Sequence, residues 1–173
     1  MRRPGLRTAI NRWRRDVWLA IPLFALALIV PFVATLTLTG AGTAVPAAKP
    51  VKSHRVVFQI DTNDPITMRH VITNALNLTQ AYEKAGQPSS IEIVAYGPGV
   101  HMFRVDTSPV LDLLRLLRAN VPGIVFTVCG NTRGIMERSE GHPLSLVDGA
   151  QVVPSGVVRL VELQEAGWSY LRP

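Results

Sequence analysis

Apolar runs alternate with amphipathic stretches over the last two thirds of the chain. Within each run most residues are apolar, and polar residues do not occupy every second position. This pattern is typical of strands buried on both faces of a sheet. Turn-forming residues end them, most clearly Gly97-Pro98-Gly99 after the second run. The predicted strands cover residues 55–60, 91–96, 124–128, 151–153 and 168–171.

The segments between these runs have helical periodicity. Apolar or small residues recur at positions 68, 71, 72, 75, 76, 79 and 82, which is one face of a helix. Asp64 stands before Pro65, so a capping residue precedes a proline in the first turn, and Gly86 provides a stop. Further helices are predicted over 110–118, 133–139 and 156–166.

Strands that alternate with helices predict an α/β fold, with an open, mostly parallel sheet and helices on both faces. In such sheets, ligands bind beyond the carboxyl ends of the strands. Asp61, Gly97 and Cys129 each follow a predicted strand. We therefore expect any functional site to lie at this rim.

The N-terminal third has a different composition. Residues 17–38 carry no charge, and a helix of this length spans the roughly 30 Å apolar core of a bilayer. Six arginines precede it, which predicts a cytoplasmic N terminus and an extracytoplasmic domain. We predict a basic tail over 1–16, one transmembrane helix over 17–39, a linker over 40–53 and an α/β domain over 54–173. An uncleaved anchor is favoured over a cleaved signal, because signal peptides have shorter apolar regions.

The formal net charge of +6 does not indicate a nucleic-acid-binding domain. Residues 1–16 hold six arginines and one acid, whereas the remainder holds 12 basic and 11 acidic residues. A nucleic-acid-binding domain carries its basic excess on the folded part. We expect no nucleic-acid partner.

Cys129 is the single cysteine and follows the third predicted strand. Gly130-Asn131-Thr132 reads as a turn that opens a helix, whose N–H groups, with Arg133, would stabilise a thiolate. The alternative is a small buried side chain that only packs, which is common for free cysteine. Gly97 and Gly99 are further candidates, since glycines let a backbone approach a ligand, although they also suit a simple tight turn.

Several other kinds of site are not indicated. The turn after the first strand contains no glycine, which argues against a dinucleotide-binding fingerprint, and no Cys-x-x-Cys pair is present. The four histidines are scattered without metal-ligand spacing, so we expect no metal and no organic cofactor. Of the four histidines, only His101 is expected near the rim. The histidines are His54, His70, His101 and His142.

Four segments together resemble the DsrE/DsrF-like family of small α/β proteins linked to sulfur trafficking. These are VAYGPGV at 94–100, FTVCGNT at 126–132, VVPSGVV at 152–158 and GWSYLRP at 167–173. The resemblance implies a flavodoxin-like parallel sheet and assembly into homotrimers or homohexamers. It also implies that a cysteine at the position of Cys129 carries sulfur as a persulfide. The predicted outward-facing anchor departs from the family's relay proteins, which are cytoplasmic.

The sequence and this resemblance give two functional hypotheses. In the first, a membrane-anchored protein binds or transfers sulfane sulfur on Cys129, with donor and acceptor proteins or small thiols as partners. Whether it would act as a transferase or only as a carrier is left open. In the second, the domain is a non-catalytic oligomeric binding module at the membrane surface, and Cys129 is structural.

Overall fold

The computed structural model describes residues 52–173. The predicted basic tail over 1–16, the transmembrane helix over 17–39 and nearly all of the linker over 40–53 lie outside these residues. Of the helices that the structure describes, none combines the length and apolar character needed to cross a bilayer.

Five strands and four α-helices alternate along the described part of the chain. In order they are β1 (His54–Ile60), α1 (Pro65–Lys84), β2 (Ser89–Ala95), α2 (Leu111–Asn120), β3 (Val125–Cys129), α3 (Gly130–Glu140), β4 (Gln151–Val153), α4 (Gly156–Glu165) and β5 (Ser169–Leu171). A 3₁₀ helix over Gly97–Phe103 follows β2 and was not predicted. Helix α3 is longer than predicted and begins directly after Cys129.

All strands pair in parallel, in the order β4-β3-β2-β1-β5. The first three crossovers step in one direction across the sheet, and the last one returns from β4 to the opposite edge. Parallel crossovers are right-handed in nearly all proteins, so this reversal places α1, α2 and α3 on one face and α4 on the other. The predicted parallel sheet with helices on both faces is confirmed.

The two faces of the sheet are packed unequally. The larger core cluster lies on the face of α1 and α2 and includes stacked Phe103 and Phe126, whose ring centroids are 4.9 Å apart. The smaller cluster lies under α4 and is formed by Val57, Val94, Leu160 and Leu163, with Tyr96 and Trp168 against it. Among the helices of residues 52–173, only α4 covers the second face, where it contacts β1, β2, β3 and β5.

A side chain caps the start of α1, as predicted, but none caps the start of α2. The Asp64 carboxylate accepts hydrogen bonds from the N–H of Thr67 at 2.9 Å and from its hydroxyl at 2.7 Å, which satisfies the first turn of α1. Helix α2 begins at Leu111 without a side-chain cap. The hydroxyl of Ser108 instead donates to the carbonyl of Met102 at 2.7 Å and so closes the preceding loop.

A buried arginine joins the 3₁₀ helix to the end of α3. Arg104 is 2% exposed, and its guanidinium donates to Glu140 at 2.6 and 2.7 Å and to Asp106 at 2.6 and 3.0 Å. These hydrogen bonds lower the pKa of Asp106 to about 2 and also lower the pKa of Glu140. The C-terminal end of α3 is thereby fixed to the residues that follow the 3₁₀ helix.

Candidate functional site

Cys129 lies at the point where the connections of the sheet change direction. It is the last residue of β3, whose chain continues into α3 on one face, whereas the neighbouring β4 continues into α4 on the other face. Two adjacent parallel strands whose connections diverge leave a crevice beyond their carboxyl ends, which is the usual ligand position in open α/β sheets. Topology therefore places the thiol in this crevice.

Glycine at the start of α4 allows this helix to approach the thiol closely. A Cβ atom on Gly156 would lie 3.1 Å from the Cβ of Cys129 and 3.3 Å from the Cβ of Tyr96. Such distances are tighter than ordinary contacts, so a side chain would force the helix away. Cys129 is also the residue that precedes the first turn of α3. The thiol thus faces the N-terminal ends of two helices, where partial positive charge favours an anion.

The local hydrogen bonds favour the thiolate. Burial is the largest single influence on Cys129 and opposes ionisation, because the side chain is only 5% exposed. The N–H groups of Gly156, Thr132 and Asn131 and the hydroxyl of Thr132 act in the opposite direction. Together they outweigh burial, so the pKa of Cys129 is lowered from its ordinary value.

Thr132 connects the thiol to the turn after β2. Its hydroxyl oxygen accepts a hydrogen bond from the N–H of Gly97 at 3.0 Å, and the same hydroxyl interacts with Cys129. Gly97 has a φ of 51°, a conformation that glycine adopts without strain. The ends of β2 and β3 are therefore coupled through one side chain.

Gly130 and Asn131 tie the start of α3 to the end of β4. A Cβ atom on Gly130 would lie 2.9 Å from the carbonyl oxygen of Val153, and the N–H of Asn131 donates to the carbonyl of Pro154 at 3.2 Å. These contacts hold the two strand ends beside the thiol.

The remaining two predicted residues lie at the rim but have other partners. The guanidinium of Arg133 donates to Glu137 at 2.8 Å, and Arg133 is not among the largest influences on the pKa of Cys129. Gly99 packs against β1, where an added Cβ would lie only 2.2 Å from the carbonyl oxygen of Ile60. Gly99 thus serves close backbone packing.

A model of the DsrE/DsrF-like family matches residues 56–173. The chain belongs to this family. A solved structure, a protein of unknown function from Methanobacterium thermoautotrophicum, is similar with a TM-score of 0.59 and 36% sequence identity. The similarity covers 69% of this chain and 99% of that one. No curated protein matches the sequence.

The DsrE/DsrF-like domain contains a polar network that sequence reasoning missed. Gln59, 4% exposed, donates from Nε2 to the Tyr96 hydroxyl at 2.6 Å and accepts a hydrogen bond from the Tyr170 hydroxyl. Burial, followed by the charge of Asp61, raises the pKa of Tyr96, which keeps its hydroxyl protonated. Arg172 closes the rim by binding Asp61 at 2.9 Å. Gln59 interrupts the apolar run 55–60, and a polar residue in a buried strand indicates a hydrogen-bond partner nearby.

No metal centre is found in residues 52–173, since no three His, Cys, Asp or Glu side chains there are grouped to hold an ion. The ring of His101 lies 2.8 Å from the hydroxyl of Thr107, in an exposed contact apart from the hydrogen bonds at the thiol. A cleft of about 610 Å³ is lined by α2 and by Phe126 and Val147. It opens on the other face of the sheet, because Phe126 and Cys129 alternate along β3.

Proposed function

We propose that this DsrE/DsrF-like protein binds and transfers sulfane sulfur as a persulfide on Cys129. The observation that carries the proposal is the position of the thiol, which lies at the divergence of two strand connections and receives N–H groups from the first turns of α3 and α4. A sulfur carrier needs a thiolate near neutral pH, and these N–H groups favour that form. Family membership supports the same chemistry.

The proposed step exchanges one sulfur–sulfur bond for another. The Cys129 thiolate attacks the outer sulfur of a donor R–S–SH, the donor S–S bond breaks, and R–S⁻ leaves with the electron pair. The product is Cys129–S–SH, so there is no net oxidation or reduction. An acceptor thiolate then attacks the outer sulfur and regenerates the Cys129 thiolate. No cofactor is required for either step.

The near-complete burial of Cys129 fits a carrier if the sulfur extends the side chain. A sulfur–sulfur bond is about 2 Å long, so the outer sulfur of the persulfide would project beyond the thiol toward the rim. Its negative charge would remain within reach of the helix N-terminal ends, while the transferable atom becomes accessible.

The test uses the full chain, whose single cysteine makes every thiol measurement specific to Cys129. The protein is exposed to inorganic polysulfide and then examined by mass spectrometry, with and without an acceptor thiol. We expect a gain of one sulfur atom that the acceptor removes, and no gain in Cys129→Ser. A native protein that gains no sulfur, or a Cys129→Ser variant that gains as much, would overturn the proposal.

The alternative function is a non-catalytic oligomeric module at the membrane surface in which Cys129 only packs. The outward side of α4 favours it, because Val157, Val158 and Val161 of this helix are 48–54% exposed. In that case the thiol would react with iodoacetamide only after unfolding. We further propose assembly into homotrimers or homohexamers, which light scattering of the purified chain would test.

We also propose a membrane-anchored location, with residues 17–39 in the bilayer and the α/β domain on the periplasmic or extracytoplasmic side. The support is the uncharged stretch behind six arginines. A reporter fused after Pro173 would test the orientation. Activity of a reporter that functions only in the cytoplasm would contradict it.

A further inference from the structure

A buried carboxylate lies on the sheet face that α4 covers. Glu92 is 1% exposed in the middle of β2, where neighbouring side chains are apolar. It accepts two hydrogen bonds from Arg159, from Nε at 2.9 Å and from Nη2 at 2.8 Å, and a third from the hydroxyl of Thr127 at 2.7 Å. A buried charge is tolerated only with such partners, so Glu92 requires the arginine.

Arg159 lies in the first turn of α4, three residues after Gly156. The guanidinium is a rigid planar fork, and its two parallel hydrogen bonds to one carboxylate fix both orientation and distance. The apolar contacts of α4 come from Leu160 and Leu163, and apolar packing is less directional. The ion pair is therefore the contact that best defines where the first turn of α4 lies on the sheet.

We propose that Glu92 and Arg159 are positioning residues for Cys129, because they hold the first turn of α4 against the thiol. The spacing of Gly156 supports this role, since a Cβ atom added there would lie only 3.1 Å from the Cβ of Cys129. A rotation or slide of α4 would move the Gly156 N–H away from the sulfur. The inference rests on the proposed function in treating Cys129 as a working thiolate.

Several other charged groups on the surrounding elements form ion pairs. Arg133 binds Glu137 on α3, Arg172 after β5 binds Asp61 at the end of β1, and Glu162 of α4 lies 3.8 Å from Arg159. None of these side chains is among the largest influences on the pKa of Cys129. A change in thiol ionisation on loss of the ion pair would therefore report the position of α4.

The decisive variant is Arg159→Lys, which keeps the positive charge but cannot form the two parallel hydrogen bonds of the guanidinium to Glu92. We would measure the rate of Cys129 alkylation by iodoacetamide against pH in the full chain. The midpoint is expected to rise by about one pH unit, since a hydrogen bond to a charged group is worth about that much. A midpoint equal to that of the wild type in a folded variant would overturn the inference.

The structure offers a matched control in Arg104→Lys. Arg104 is also a buried, bidentate arginine, but it binds Glu140 at the far end of α3, about 15 Å along the helix from Cys129. This variant is expected to lose stability without a change in the alkylation midpoint. A rise equal to that of Arg159→Lys would show that general loosening is responsible and would also overturn the inference.

A second variant guards against misfolding of Arg159→Lys. Replacing both partners, in Glu92→Leu/Arg159→Met, leaves no unpaired buried charge, and such exchanges often preserve folding. A raised midpoint is again expected because the fork is absent, and a wild-type midpoint would contradict the proposal. The sulfur-transfer proposal is tested by a different measurement. It fails if the wild-type chain gains no sulfur from polysulfide, whatever the alkylation midpoint is.

Discussion

Replacing Thr132 by valine should make the thiol of Cys129 harder to ionise. Valine has nearly the shape of threonine but lacks the hydroxyl, which in the structure interacts with Cys129 and accepts the N–H of Gly97 at 3.0 Å. The substitution therefore removes one hydrogen bond to the thiolate and leaves one backbone donor without its acceptor. Thr132→Ser keeps the hydroxyl and is the matched control.

The expected changes in the pKa of Cys129 and in stability follow from these two lost hydrogen bonds. A hydrogen bond to a charged group contributes about 1.5–3 kcal/mol, and one pH unit corresponds to about 1.4 kcal/mol. Three N–H groups remain on the thiolate, so we take the lower end and expect the pKa of Cys129 to rise by about one unit. The half-buried Gly97 N–H should cost about 1 kcal/mol of folding free energy. That cost lowers the urea midpoint by about 0.5 M.

The assay is the pH dependence of alkylation, and its midpoint is more informative than its rate. At a pH well below both midpoints, raising the pKa by one unit reduces the thiolate population about tenfold. A more basic thiolate is about threefold more nucleophilic, so the rate there falls only about threefold. An alkylation midpoint for Thr132→Val within about 0.3 unit of Thr132→Ser would show that the hydroxyl does not stabilise the thiolate.

Two further predictions concern stability. Gly99→Ala would place a Cβ 2.2 Å from the backbone oxygen of Ile60, so the free energy of unfolding should fall by at least about 3 kcal/mol in a urea titration. Gly134→Ala is the control, because its added Cβ meets only the flexible end of a side chain, and it should be neutral or slightly stabilising in the same titration. Asp106, whose pKa is lowered to about 2 by Arg104, should contribute stability that is complete above about pH 4 and is lost as the pH falls toward 2. Asp106→Asn should remove that part of the acid dependence in thermal melts, and an unchanged profile would contradict it.

The strands and most helices could be predicted because their information is local. The cap at Asp64 and the apolar run before Cys129 identify their elements without reference to the rest of the chain. The sheet order could not be predicted in this way. The last strand could pair beside β4 or beside β1, and its three exposed residues carry no signal that distinguishes the two positions.

The site shows the same division between local and distant information. Cys129 and Thr132 were identified from one short segment, because a strand end followed by a helix start is a local pattern. Gly156 is 27 positions further along the sequence and reaches the thiol only because α4 returns on the opposite face. Arg133 directly follows Thr132 in the sequence, yet its side chain does not turn to the thiol. It pairs with Glu137, one helical turn further along α3, as the i, i+4 spacing favours.

Both edges of the sheet are formed by strands of only three residues, β4 and β5. Pro154 directly follows β4, and Pro173 stands two positions after β5, so neither edge can be extended with a further N–H at these positions. Short edges interrupted by proline are poor templates for strand addition and therefore resist edge-to-edge aggregation. If copies of this domain associate, the contact is expected to be made by side chains of helices, and the sheet of each copy should stay closed to its neighbours.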